Sequence, residues 1–315
     1  GDLSLGVISG SNVSLAASGS IIDANSGSQN ITADNLSLRA DGGSIGNHDN
    51  TNGTPGQNVN AIDIAVATLA ADADSGIYIS ESDSVVITTV AGVAVDIESV
   101  VGVNFNSTTA DVSVDGSTSA LEDLSTGSNG PIKLVSQSGS ITIEGGSGGP
   151  GVSANGSGDV LLESRGIGSD VIVNADVVSG TGNLTLDADN DLSVNSAVAT
   201  GGVGTIYLRS GNNTNLDSQL VSVGGDILID SAANLIQTDS ITSTSGDIGL
   251  IAGGTLTQTS SGDVTTGGDV LLESVADWTM AGGTEINATG NVVGEVLGGD
   301  LSLGVISGSN VSLAA

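Results

Sequence analysis

The stretch GDILIDSAANLIQTDSITSTS, residues 225–245, holds three short pieces, GDILIDSA, ANLIQT and DSITSTS, each broken by Gly, Asn, Asp or Ser. The pieces are too short and too rich in β-branched residues to be helices, and no 3.6-residue period runs through them. On an extended chain alternate side chains face opposite ways, so Ile227 and Ile229 are expected to point inward and Leu228 and Asp230 outward. Leu184 and Leu186 stand in the same relation to Thr185 and Asp187.

The same opening recurs on either side. Strand-like runs preceded by Gly begin at 182 (GNLTLDA), 204 (GTIYLRS), 225, 246 (GDIGLIA), 268 (GDVLLES) and 290 (GNVVGEV), at steps of 22, 21, 21, 22 and 22 residues. Regular self-similarity in this range marks a solenoid. Three short strands per coil of 21–22 residues, stacked ~4.8 Å apart on parallel ladders, make an all-β parallel β-helix. The chain 1–315 reads as one continuous segment, regular at 1–45 and 129–298 and irregular at 46–128. Within the irregular part, NHDNTNGTPGQN at 47–58 predicts a projecting loop.

A longer repeat encloses the short one. GDLSLGVISGSNVSLAA at 1–17 returns unchanged at 299–315, an offset of 298 residues, so the chain reads as one unit of a tandem array followed by the start of the next copy. At ~4.8 Å per coil such a unit has about 13 coils and a length of roughly 60 Å. An open β-helix end exposes unpaired backbone groups and an apolar cross-section, which a following copy would cover. Adjacent copies of the same repeat, end to end, are therefore the expected partners.

Composition bounds the function. Hydrophobic residues make up 38% of the chain, enough for a core, yet aromatics are 1%, so the core must come from Val, Ile, Leu and Ala. There are 49 glycines and no cysteine, which predicts many tight turns and stability from continuous packing without disulfides. Thirty-six acids face four Lys and Arg, a net charge of −32. Nucleic acid is excluded as a partner, because phosphate binding needs clustered cations. No apolar run approaches the ~20 residues of a membrane helix; IAVATLAA at 64–71 comes nearest.

The strings GDLSLGVISGSNVSLAASGSII, GNLTLDADNDLSVNSAVATG and GDIGLIAGGTLTQTSSGDVTTG resemble the shaft repeats of the filamentous haemagglutinin family, very large bacterial surface proteins exported by two-partner secretion. VATLAADADSGIYISESDSVVI at 66–87 is similar to a stretch that recurs in giant repeat proteins of this kind. The resemblance implies a right-handed parallel β-helix, in line with the general preference for right-handed crossovers between parallel strands. It also implies an extracellular or cell-surface location and work as a fibre shaft in adhesion or a biofilm matrix.

An enzyme is not expected. β-Helix lyases and hydrolases need an acid or base pair supported by cations, whereas the single His48 lies in the Gly/Asn/Pro loop and acid pairs such as those of DADND at 187–191 arise by chance in so acidic a chain. Three columns are singled out instead. Five residues after each coil's Gly, Arg209 should fall between Asp187 and Asp230 as a charge ladder worth a few tenths to ~1 kcal/mol. One residue after it, Asp226, Asp247 and Asp269 would stack as like charges, which either bind nearby backbone amides or share a Ca2+ ion, the one cofactor considered. Three residues after it, Tyr207, Leu228 and Leu271 form an outward apolar stripe, a contact for neighbouring fibres or a ligand. A different class of function remains open: a polyvalent adhesin binding surface glycans or cells through 46–128, or a subunit of a self-assembling sheath or filament.

Overall fold

The computed structural model describes residues 1–48 and 58–315, so the expected loop at 47–58 lies largely outside the described residues. The quoted stretch folds as Ile227–Ser231, Leu235–Gln237 and Ile241–Ser243, three strands separated by corners of a few residues. Each lies parallel on its equivalent one coil later: Ile227 on Ile248, Leu235 on Leu256, Ile241 on Val264. Repetition gives an all-β solenoid of about 14 turns with no helix among the described residues.

Alternation assigns the sides as expected. Ile227, Ile229, Leu184 and Leu186 are fully buried, while Leu228 is exposed and Thr185, Asp187 and Asp230 are half-buried. One inward Leu or Ile contributes ~1.5–3 kcal/mol of apolar burial, and a single, mainly aliphatic buried cluster extends from Leu5 to Val296.

The corners explain the Gly and Ser content. A Cβ on Gly204, Gly225 or Gly246 would lie 2.3, 2.0 and 2.3 Å from the carbonyl oxygen of the glycine one coil earlier, so only Gly lets successive turns nest this closely. Three residues earlier, a buried hydroxyl ties the turn together. Ser222 Oγ donates to Gly204 O (2.8 Å) and accepts from Gly225 N (3.0 Å), and Ser243 Oγ does the same between Gly225 O and Gly246 N (2.9 Å each).

Polar and aromatic groups also enter the core. Gln258 Nε2 donates to Gln237 Oε1 (2.9 Å), and the indole Nε1 of Trp278 donates to Gln258 Oε1 (3.0 Å), all three side chains being fully buried. The aliphatic core expected from composition thus contains an amide stack capped by the chain's single Trp.

Region 46–128 is irregular because of what is inserted, not because the coil is lost. Ile62–Ala73, Gly76–Glu81 and Val85–Thr88 continue the stack, with Ile31 on Ile64 and Ile77 on Ile132. The next coil resumes where Leu124 lies on Ala71. Between them the chain leaves the solenoid as an antiparallel ribbon, Ala94–Ile97 paired with Val114–Ser117 and Val101–Val103 with Thr109–Asp111. A bridge between Val90 and Leu121 closes its base, and the turn at Asn104–Ser107 forms its tip.

Candidate functional site

Along the long-strand face the register places every singled-out residue in its column. Asp187, Arg209 and Asp230 are direct cross-strand neighbours in three successive coils. Arg209 Nη1 meets Asp187 Oδ1 at 2.6 Å and, among the described residues, makes no ion pair with Asp230. Desolvation raises the Asp187 carboxyl above its ordinary value, outweighing the opposing pull of the guanidinium. The guanidinium itself is pushed up by its hydrogen bond to Asp187. Both side chains are half-buried, and the pair serves as a local strut.

The aspartate column has a definite hydrogen-bonding pattern. Asp226 Oδ1 accepts from the backbone N–H of Asp247 (2.8 Å), Asp247 Oδ1 from that of Asp269 (2.7 Å), and Asp269 Oδ1 from that of Asn291 (2.6 Å). Asp159 and Asn183 extend the column the other way, capping the amides of Asn183 and Thr205. These amides precede their strands and lie outside the sheet ladder, so the carboxylate satisfies a donor that each corner leaves open. Two unit charges ~4.8 Å apart in water repel by somewhat under 1 kcal/mol, whereas a hydrogen bond to a charged acceptor contributes ~1.5–3 kcal/mol. On that balance the hydrogen bonds offset the repulsion within the column. Among the described residues no group of three or more His, Cys, Asp or Glu side chains is arranged to hold a metal ion.

A second corner repeats the device, a pattern the sequence reading did not isolate. Asp170, Asp191, Asn213 and Asn234 cap the amides of Asp191, Asn213, Asn234 and Thr255 at 2.9–3.2 Å. The visible signal is Asx one residue before each strand at the 21–22-residue period.

Tyr207, Leu228, Gly249, Leu271 and Val293 form one outward column in direct register. Leu228, Leu271 and Val293 are exposed and Tyr207 is half-buried. Gly249 leaves a notch between the two leucines, within a shallow groove of about 470 Å³ edged by the Asp226, Asp247 and Asp269 carboxylates.

The ribbon at 94–117 is the larger exposed apolar feature. Val95, Ile97, Val101, Val103, Val114 and the chain's only Phe, Phe105, are all exposed on it. Its Val-rich alternation, VAVDIESVVGV, has the same period of two as a coil strand, which hid it in the sequence; the missing Gly corners at the coil period are the signal that marks it off. His48 packs its ring 5.9 Å from that of Tyr78. Among the described residues no helix is long and apolar enough to cross a membrane.

No family model, curated protein or solved structure matches this chain.

Proposed function

We propose that the chain is a repeating unit of an extracellular fibrous surface protein, a rigid spacer of the filamentous haemagglutinin kind in which copies continue end to end as one solenoid. One observation carries this reading: the seventeen residues that occur twice form strands that join the parallel stack at both ends of the chain, the second time one face further round the coil. At the start they form Leu3–Leu5 and Ile8–Ala17 and are covered by the coil after them; at 299–315 they form Leu301–Ser302, Val305–Ser307 and Val311–Ala314 and are seated on the coil before them. There Leu301 lies on Trp278, Ile306 on Ile286 and Val311 on Val292. Leu5 and Val13 are 1% and 8% exposed, whereas their counterparts Leu303 and Val311 are 43% and 46% exposed. The same segment therefore fits a preceding and a following coil, and a following copy would bury a face that is apolar and unpaired.

The proposed work is reach and spacing without chemistry. Electron cryomicroscopy of fibres on the native cell surface tests it: single thin rods with a ~4.8 Å axial spacing and a repeat near ~60 Å are expected. Discrete bodies joined by flexible links would overturn it.

A second reading is favoured by the exposed apolar ribbon, which would present one binding element per copy and make the fibre a polyvalent adhesin. Replacing 91–120 by a short Gly-Ser link tests this reading. Loss of binding to cells or glycans with an unchanged melting transition supports it; undiminished binding removes it.

A further inference from the structure

The strands Gly76–Glu81, Ile132–Ser136 and Val160–Ser164 stack on the long-strand face and carry two outward columns, Tyr78–Lys133–Leu161 and Ser80–Val135–Glu163. Together with Gln137, Arg165 and His48 these columns line an open groove of about 280 Å³ along the solenoid axis. Two of the chain's four Lys and Arg and its only His therefore meet in one groove of a molecule whose net charge is −32.

One wall is a connected polar line. Gln137 Nε2 donates to Ser80 Oγ (3.1 Å), Arg165 Nη1 donates to Gln137 Oε1 (3.2 Å), and Arg165 Nε and Nη2 donate to Glu163 (2.6 and 3.2 Å). Lys133 differs from this line. Its ammonium makes no hydrogen bond to the protein and no ion pair within 4 Å among the described residues. Burial pushes its pKa down, against the more distant pull of Asp159. A partly desolvated cation with no acceptor is costly, and an anion entering the groove would relieve that cost.

We propose that this groove binds an acidic saccharide, with a sugar carboxylate on the Lys133 ammonium, a pyranose ring over Leu161 and Val135, and hydroxyls on the Gln137 and Ser80 line. The floor is apolar and the wall offers an amide and a hydroxyl, the mixture a sugar face requires. The coil spacing of ~4.8 Å is close to the length of one pyranose along an extended polysaccharide, so successive rings can follow successive coils. The chain's overall negative charge does not forbid this. Charges beyond the ~8 Å Debye length are screened at physiological ionic strength; apart from His48 the charged side chains that line the groove are Lys133, Arg165 and Glu163, an excess of one positive charge, with Asp159, Asp187 and Asp189 acting on the two cations from outside it. The inference needs only one unit and stands apart from the end-to-end reading.

Calorimetric titration of the intact chain with trigalacturonate and with the neutral galactose trimer tests the proposal. Trigalacturonate is expected to bind at least about tenfold more tightly than the neutral trimer, with affinity falling as salt rises. Lys133→Gln is expected to weaken it by about tenfold or more, and Leu161→Glu, at a half-exposed position, to abolish it. Arg39→Gln, away from the groove, should leave it unchanged. Circular dichroism melts establish that each variant is folded. Equal binding of the neutral trimer, undiminished binding by both groove variants, or no binding at millimolar sugar would each overturn the proposal. Competition by acetate as effective as that of galacturonate would reduce the groove to a simple anion site and overturn the saccharide assignment.

Discussion

Gly294 lies beneath the ring of Trp278: a Cβ built on Gly294 would come 2.6 Å from Cζ3 of the indole. In the coil before, the same inward position holds Leu272, its direct cross-strand partner. The solenoid thus admits its one Trp by removing a whole side chain from the adjacent strand, a local exchange of volume that keeps the core close-packed. Gly294→Ala is expected to lower stability by ~1–3 kcal/mol through overpacking. In the Trp278→Leu background the same substitution should cost much less. Denaturant unfolding of the two single variants and the double variant measures the coupling, and additive effects would show that the two positions do not share space.

Asp247 receives the amide of Asp269 and donates its own amide to Asp226. Asp247→Ala is expected to cost ~1 kcal/mol or more, whereas Asp247→Asn, which keeps an acceptor and removes a like charge, should stay within about 0.5 kcal/mol of the parent. Because one oxygen of each carboxylate already serves a corner amide and offsets the like-charge repulsion, melting temperatures in excess Ca2+ and in chelator are expected to coincide. A clear rise with Ca2+ that disappears in Asp247→Asn would instead place a cation on the column.

Arg209 reaches one of its two acidic neighbours. A double-mutant cycle between Arg209 and Asp187 should give a coupling of ~0.2–1 kcal/mol, and the cycle with Asp230 a value near zero. A larger coupling to Asp230 would contradict the observed geometry.

Glu81 is fully buried, and desolvation pushes its carboxyl up to about 8 although the backbone amides of Val66, Ser82 and Asp83 donate to it. The folded state therefore holds a proton that the unfolded chain has released above its ordinary carboxyl pKa of ~4.3. The resulting stability is complete below that value and is lost as pH rises towards 8. Glu81→Gln imitates the protonated form. Its advantage over the parent should be small at pH 4 and grow to a few kcal/mol by pH 8.5, the ~1.4 kcal/mol per pKa unit setting the scale. Thermal melts of the pair across this range test it, and a difference independent of pH would mean that the carboxyl is not protonated in the fold.

The sides of the strands and the columns of the regular coils were legible because they depend on a two-residue alternation within a strand and a 21–22-residue step between coils. Ile227 and Ile229 inside, and Arg209 between Asp187 and Asp230, need nothing else. The ribbon at 94–117 was not legible, since alternating Val on an antiparallel pair looks like alternating Val on a coil strand. The exchange between Trp278 and Gly294 was equally hidden, because it joins the second strand of one coil to the first strand of the next. The groove at Lys133 depends on Tyr78 and Lys133 becoming neighbours, which they do only after the ribbon between them has been set aside.

The central claim is that the solenoid passes from one copy to the next without a break, and a chain carrying two consecutive 298-residue copies tests it most directly. Electron cryomicroscopy of that chain should show one straight rod of roughly 120 Å with an uninterrupted ~4.8 Å ladder through the joint. The residues equivalent to Leu303 and Val311 should be buried there as Leu5 and Val13 are. Two rods meeting at variable angles, with the ladder broken between them, would contradict it.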